Sequence, residues 1–376
     1  MFHFLSRSVF PTTRKLVLLQ NQNYQQWISL KFISTPSKGN SFTASYLIDT
    51  CGLSPQRAAS FSKRMKFETR EKPDLVFEFF KNQGFSQTMA LIIIQSFPGI
   101  LRSDPIKTLL PKIDFLKSKG FSNSDIYSII RACPSILNRS LHREIIPCFD
   151  FFNNLFHCKH KFMKTIKRYS GILVDLENCS ELNIKVLREG GVPESHIIRF
   201  IEYFPRTLKF PHKRFKELVQ EVKELGFDPL KLQFVVVVHI KLCISKSTWA
   251  RKEGVYRKWG WTDDDISATF RVFPFFISVS DKKIDAVMDF LVNRLGYKSA
   301  DIARCPAVMS MSLGNRIIPR GSVVLVLLSK GLVSKLSLGA IFKCNEKVFL
   351  DKFISCHEKE ADELLKLYRA KLTLTG

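Results

Sequence analysis

Three consecutive acids, Asp263, Asp264 and Asp265, and a group of soft ligand atoms on His157, Cys158 and His160 with Cys179, are the residues whose types could hold a metal. Their spacing argues against it. The aspartates follow Thr262 at a helix start, where carboxylates satisfy free N–H groups and complement the helix dipole. The His/Cys group matches no zinc spacing. No GxxxxGK[ST], HExxH, GxSxG or GxGxxG stretch occurs, so phosphate-loop, metalloprotease, hydrolase and dinucleotide chemistry all lack their residues. The expectation is a protein without catalytic residues, metal or cofactor. Trp249, Trp259 and Trp261 could stack on bases. Because Trp259 and Trp261 flank Gly260, a helix terminator, packing between helices is the reading preferred for them.

The chemistry that the composition does support is electrostatic. In 376 residues, 58 Lys and Arg oppose 34 Asp and Glu, a net charge of +24, and the pI is near 9.7. Such a chain is attracted to a polyanion, either nucleic acid or an anionic membrane surface. A hydrophobic content of 45% supplies a sizeable core and excludes general disorder. Nine cysteines stand singly between Cys51 and Cys356 without a CxxC pair, which favours a reducing compartment and core packing. The longest apolar runs, 234–238 and 323–328, fall far short of the ~20 residues that span a bilayer.

The first forty residues differ from the rest. They hold Arg7, Arg14, Lys15, Lys31 and Lys38, and the first acid of the chain is Asp49. Five bases, no acids, bulky apolar residues and later Ser/Thr predict a mitochondrial targeting presequence over 1–40, with a plastid address as the alternative. Removing those five bases leaves +19, so the basic character belongs to the remaining 41–376.

The elements that must position the bases show as a repeat. FPGIL, CPSIL, YSGIL, FPRTL and FPFFI place Pro98, Pro134, Ser170, Pro205 and Pro274 in register at separations of 36, 36, 35 and 69, the last being two units. A glycine precedes the anchor by 14 residues in Gly84/Pro98, Gly120/Pro134, Gly191/Pro205 and Gly260/Pro274. From Gly226 and Gly331 the same offset reaches Ile240 and Asn345. Gly296 to Pro306 is only 10, as if one helical turn were deleted, and Phe156 stands where the unit of Ser170 should have its glycine. Ser122 with Asp125, Thr262 with Asp265, and Asp228 with Pro229 are helix-start signals. Apolar residues then follow a helical stripe, as in Ile126, Ile129, Ile130 and Cys133, in Ile197, Phe200, Ile201 and Phe204, and in Leu232, Val235, Val236 and His239. The anchor proline should stop or kink that helix, the short segment after it should turn as a brief 3₁₀ or loop piece, and a second helix should follow, as over 106–119 or 210–225. The fold class is therefore all-α, an α-solenoid of stacked helix-turn-helix repeats of about 35 residues.

With these residues in view, the chain resembles the mitochondrial transcription termination factor (mTERF) family, in its land-plant branch. The resemblance runs over about 41–372. Its generic part is the repeated Gly…Pro-x-x-Leu unit; its specific parts are KSTWARKEGVYRKWGWTDDDI (246–266), FRVFPFFI (270–277), CPAVMSMSLGNRIIPR (305–320) and FISCH (353–357). The resemblance implies a left-handed superhelical half-ring whose basic concave face binds duplex DNA, or structured RNA in some organellar members. Ser170, Ile240 and Asn345 depart from the anchor pattern.

Bases near the anchor turns are the candidate phosphate contacts, because equivalent positions of stacked units line one face: Arg102, Arg131, Arg139, Lys167, Arg168, Arg206, Lys209 and Arg271. Arg251, Arg316 and Arg320 join them from the family-matching blocks. The expected protein is a non-enzymatic mitochondrial matrix factor, monomeric on its nucleic acid and independent of membranes. It would regulate transcription termination or initiation on double-stranded DNA. Two alternatives remain: structured-RNA binding in splicing or ribosome assembly, and a helical scaffold for a protein partner.

Overall fold

Helix follows helix through the described residues, 41–174, 180–334 and 336–373 of the computed structural model, and no strand occurs among them. The expected presequence lies outside the described residues, as does Cys179. The helices are α1 (Phe42–Asp49), α2 (Pro55–Ser62), α3 (Glu71–Asn82), α4 (Gln87–Ser96), α5 (Leu110–Ser118), α6 (Asn123–Ala132), α7 (Ile146–Phe156), α8 (Lys159–Arg168), α9 (Glu181–Glu189) and α10 (Glu194–Tyr203). They continue as α11 (His212–Glu224), α12 (Leu232–Cys243), α13 (Lys246–Lys258), α14 (Asp263–Val272), α15 (Asp281–Asp289), α16 (Ser299–Arg304), α17 (Ile318–Ser329), α18 (Leu338–Phe342), α19 (Glu346–Leu350) and α20 (Ala361–Thr373).

Each boundary has a local cause. Gly120 leaves α5 at φ +95, a left-handed conformation that only glycine adopts without strain. Ser122 and Thr262 form reciprocal capping boxes with Asp125 and Asp265, as their spacing predicts. Residues before the anchors, Phe97, Cys133 and Phe273, leave the helical region at φ near −140 and ψ near 75, since a following proline crowds that region. The anchors then open 3₁₀ turns at Pro98–Arg102, Pro134–Asn138, Pro205–Lys209, Pro274–Ser278 and Pro306–Ser310. The 10-residue Gly296/Pro306 spacing appears as a six-residue α16, against ten residues in α4, α6, α8, α10 and α14.

The structure overturns one sequence expectation about the repeat, the helix cap at Asp228, and shows how the irregular units are built. In the unit of Ser170, where Phe156 stands at the glycine position, Phe156 is the last residue of α7 and His157 takes the left-handed conformation at φ 49. Asp228 does not cap a helix. Its carboxylate accepts from Leu230 N in a turn, and α12 begins only at Leu232. Ser170 keeps the turn, Ser170–Val174, without a proline, because its hydroxyl donates to Ile129 O at 3.0 Å and ties the turn to α6. Ile240 loses the turn: α12 runs through it unbroken, and Asn345 caps α19 instead of opening a 3₁₀ turn.

The described residues fall into two compact units, 41–239 and 240–373, with the division inside the residues of α12. In the first, the helices preceding each anchor form one row, α4 on α6, α6 on α8 and α8 on α10, and the turns at Pro134, Ser170 and Pro205 pack successively. Ile93, Ile94, Ile129, Ile130, Phe162, Ile166, Phe200 and Ile201 fill the seam between the helices. In the second unit, α14 packs on α16 and α13 on α15, and the turns at Pro274 and Pro306 lie together. α20 lies along α17.

Between consecutive units a buried or half-buried donor reaches forward to the next turn's carbonyls. Lys112 Nζ donates to Leu137 O, Asn183 Nδ2 to Leu208 O at 2.9 Å, Lys252 Nζ to Val279 O and Lys283 Nζ to Ser310 O at 3.1 Å. The 3₁₀ turn leaves its last carbonyls without helical partners. A cation or amide from the preceding unit satisfies them, and burial lowers the proton affinity of Lys112, Lys252 and Lys283.

Candidate nucleic-acid interface

Every anchor turn buries apolar side chains, and two of them, Pro98–Arg102 and Pro205–Lys209, also present bases. In Pro205–Lys209 the residues Pro205, Thr207 and Leu208 are buried while Arg206 is exposed. Arg102 at the end of the Pro98 turn and Arg131 in the last turn of α6 are exposed too. Among the described residues Arg102, Arg131 and Arg206 form no ion pair, so their charge faces solvent uncompensated. Arg271, in the last turn of α14, is likewise exposed.

Aromatic rings hold part of this set in place. Arg206 lies over the Tyr169 ring at 5.3 Å and Lys209 over the same ring at 5.6 Å, while Arg168 lies over Tyr203 at 5.9 Å. Arg168 also donates to Glu202 O at 3.4 Å, an interaction that suits the negative end of α10. Tyr169 can fold against its turn because residue 171 is glycine; a Cβ there would come within 2.8 Å of the phenol ring.

Other candidates are engaged within the protein. Lys167 pairs with Asp125 at 2.8 Å and holds its carboxyl below the usual carboxylate range. Arg139 pairs with Glu144 at 3.1 Å, and Arg251 pairs with Asp281. These three remain exposed, but part of their charge is already answered.

Arg320 and Arg316 are corrections. Arg320 is 2% exposed, donates to Ile341 O at 3.0 Å and Cys344 O at 2.9 Å, and stacks over Phe349 at 4.7 Å. It is the forward-reaching donor of its unit, fourteen residues after Pro306 as Lys112 is after Pro98, and no phosphate can reach it. Arg316 is half-buried and donates to Cys344 O at 2.8 Å; burial and the neighbouring Arg320 guanidinium lower its proton affinity. The blocks that carry the resemblance therefore contain structural arginines. The fourteen-residue offset from the anchor that Arg320 shares with Lys112 was the sequence signal that could have said so.

The tryptophans pack as expected. Trp261 is buried against Tyr256 and Phe276, Trp259 Nε1 donates to Asp285 at 2.9 Å, and Trp249 meets Phe270 edge-on and donates to Glu253 at 2.7 Å. Asp263 pairs with Arg257 and Asp265 caps α14. Among the described residues no three of His, Cys, Asp and Glu converge in a way that could hold a metal ion. No helix of the described residues is long and apolar enough to cross a membrane.

Stacked units of two helices and a short 3₁₀ turn, with exposed arginines on the Pro98 and Pro205 turns and at the ends of α6 and α14, define an all-α helical-repeat protein. The mTERF family model matches residues 77–242 and again residues 204–350, and the chain belongs to that family. Its members are nucleic-acid-binding helical-repeat proteins of organellar gene expression rather than typical enzymes. No curated protein sequence matches the chain.

Proposed function

We propose that this protein binds the backbone of duplex DNA in mitochondria through the bases of its anchor turns and thereby regulates transcription, at termination or initiation. The observation that carries this reading is that Arg102 and Arg206 stand exposed on the Pro98 and Pro205 turns and Arg131 at the end of α6, all without ion pairs among the described residues. Such contacts neutralise phosphates and position the protein without reading bases.

The test compares duplex DNA with structured RNA in fluorescence anisotropy, using wild-type protein and a variant with Arg102, Arg131, Arg206 and Arg271 changed to Glu. Loss of affinity for every sequence with helicity retained supports the reading. Preference for RNA would move the function to splicing or ribosome assembly. A folded variant with unchanged affinity would favour the scaffold alternative. Residues 1–40 fused to a reporter should direct it to mitochondria; delivery to plastids would replace that address.

A further inference from the structure

The bases are not spread evenly over the units. No acid occurs from Phe151 to Val174, a window containing Lys159, Lys161, Lys164, Lys167 and Arg168. None occurs from Tyr203 to Lys216 either, a window containing Arg206, Lys209, Lys213, Arg214 and Lys216. The two windows meet in space. Arg168 reaches Glu202 O and Tyr203, and Arg206 and Lys209 sit over Tyr169.

α8 is the unusual element. Its counterparts α6, α10, α14 and α16 carry acids in their first turn, where negative charge complements the helix dipole, and α4 and α12, which carry none, start without a base. α8 begins with Lys159, His160 and Lys161, has no acid at all and no side-chain cap. Phe162, Thr165 and Ile166 turn inward, so Lys161, Lys164 and Arg168 form an exposed stripe at i, i+3 and i+7, about 10 Å long. Like charges at that spacing repel. Lys159, Lys161 and Lys164 form no ion pair among the described residues. The arrangement opposes helix stability at both its start and its face, which is what a surface shaped for an external polyanion looks like.

We propose that α8, continued by the Pro205–Lys209 turn and the start of α11, is the principal phosphate-binding surface of this protein, holding the sugar–phosphate backbone of the bound nucleic acid. The proposal rests on the nucleic-acid reading above and adds to it residues outside the anchor turns. Changing Lys159, Lys161 and Lys164 together to Glu should separate binding from stability. Glutamates at the start of α8 suit the dipole, so the melting temperature should hold or rise. Affinity for a duplex DNA and for an RNA hairpin of equal length should fall more than tenfold at about 100 mM salt. The DNA salt slope should become shallower by about 2 to 3, the share of three phosphate contacts. The two ligands distinguish which backbone is held.

A control with exposed Arg64, Lys66 and Lys72 changed to Glu carries the same change in net charge and should leave affinity within about threefold. Wild-type affinity in the folded α8 variant, or an equal loss in the control, overturns the proposal and leaves the anchor-turn reading intact. If the wild-type protein binds neither ligand with a steep salt dependence, the nucleic-acid reading falls and the proposal with it.

Discussion

Arg320 and Arg102 look alike in sequence, each a base close to a Pro-anchored turn, yet one is sealed among carbonyls and the other faces solvent. Replacing Arg320 with Met leaves Ile341 O without its guanidinium donor and Cys344 O with Arg316 alone. Unfolding free energy should fall by about 1–3 kcal/mol, while the salt slope of nucleic-acid binding stays that of wild type; a changed slope would return Arg320 to the interface. His239 makes a second prediction at this scale. It is buried, hydrogen-bonded with Thr207 Oγ1 at 2.7 Å and stacked on Phe204, and burial pushes its pKa down to about 3. An unfolded imidazole titrates near 6.5. Between those values the unfolded chain binds the extra proton, so this contribution to stability is complete above about pH 6.5 and lost as pH falls, by about 1.4 kcal/mol per unit. Urea denaturation at pH 7.5 and 5.5 should show wild type losing about 1.4 kcal/mol more than His239→Gln.

The repeat unit depends on a left-handed residue between its helices, and the two ways of filling that place give predictions of opposite sign. Gly120 has φ +95 with no atom near the position of a Cβ, so Gly120→Ala should cost about 1 kcal/mol through backbone strain alone. His157 already bears such strain at φ 49, and His157→Gly should recover up to about 1 kcal/mol. Thermal melts of both variants check the pair. Equal destabilisation would mean that the His157 side chain contributes more than its backbone costs. The same scale explains Ser170. Its neighbour Tyr169 takes φ −148 and ψ 84, close to the values before true anchor prolines, because a hydroxyl bond to α6 replaces the proline ring as the constraint.

For the whole chain, +24, or +19 without the first forty residues, must act through whichever cations remain uncompensated. If about six phosphates are neutralised, the slope of log K against log salt on duplex DNA should be about −5. Affinity should then fall about a thousandfold between 50 and 200 mM salt. Titrations at four salt concentrations check this. A slope near zero would mean that the charge serves solubility rather than binding.

Periodic patterns were legible in the sequence because they are repeated local physics. The 14-residue glycine-to-proline interval, the apolar stripes ending at Cys133 and Phe204, and the boxes at Ser122 and Thr262 each depend on residues within one unit, so neighbouring letters suffice to state them. Even the shortened Gly296/Pro306 unit follows from counting. The fate of individual bases was not legible, because it depends on contacts between units. Lys112, Lys252 and Arg320 are buried by carbonyls 21 to 27 residues away, and Lys167 is answered by Asp125 one repeat unit earlier. Whether Ser170 or Ile240 keeps its turn was decided the same way: by a hydroxyl partner at Ile129 for one, and for the other by a stretch, Phe234 to Ile240, that is buried throughout and continues as helix. Local spacing determines which residues make a unit, and stacking decides which of its charges are left for a ligand.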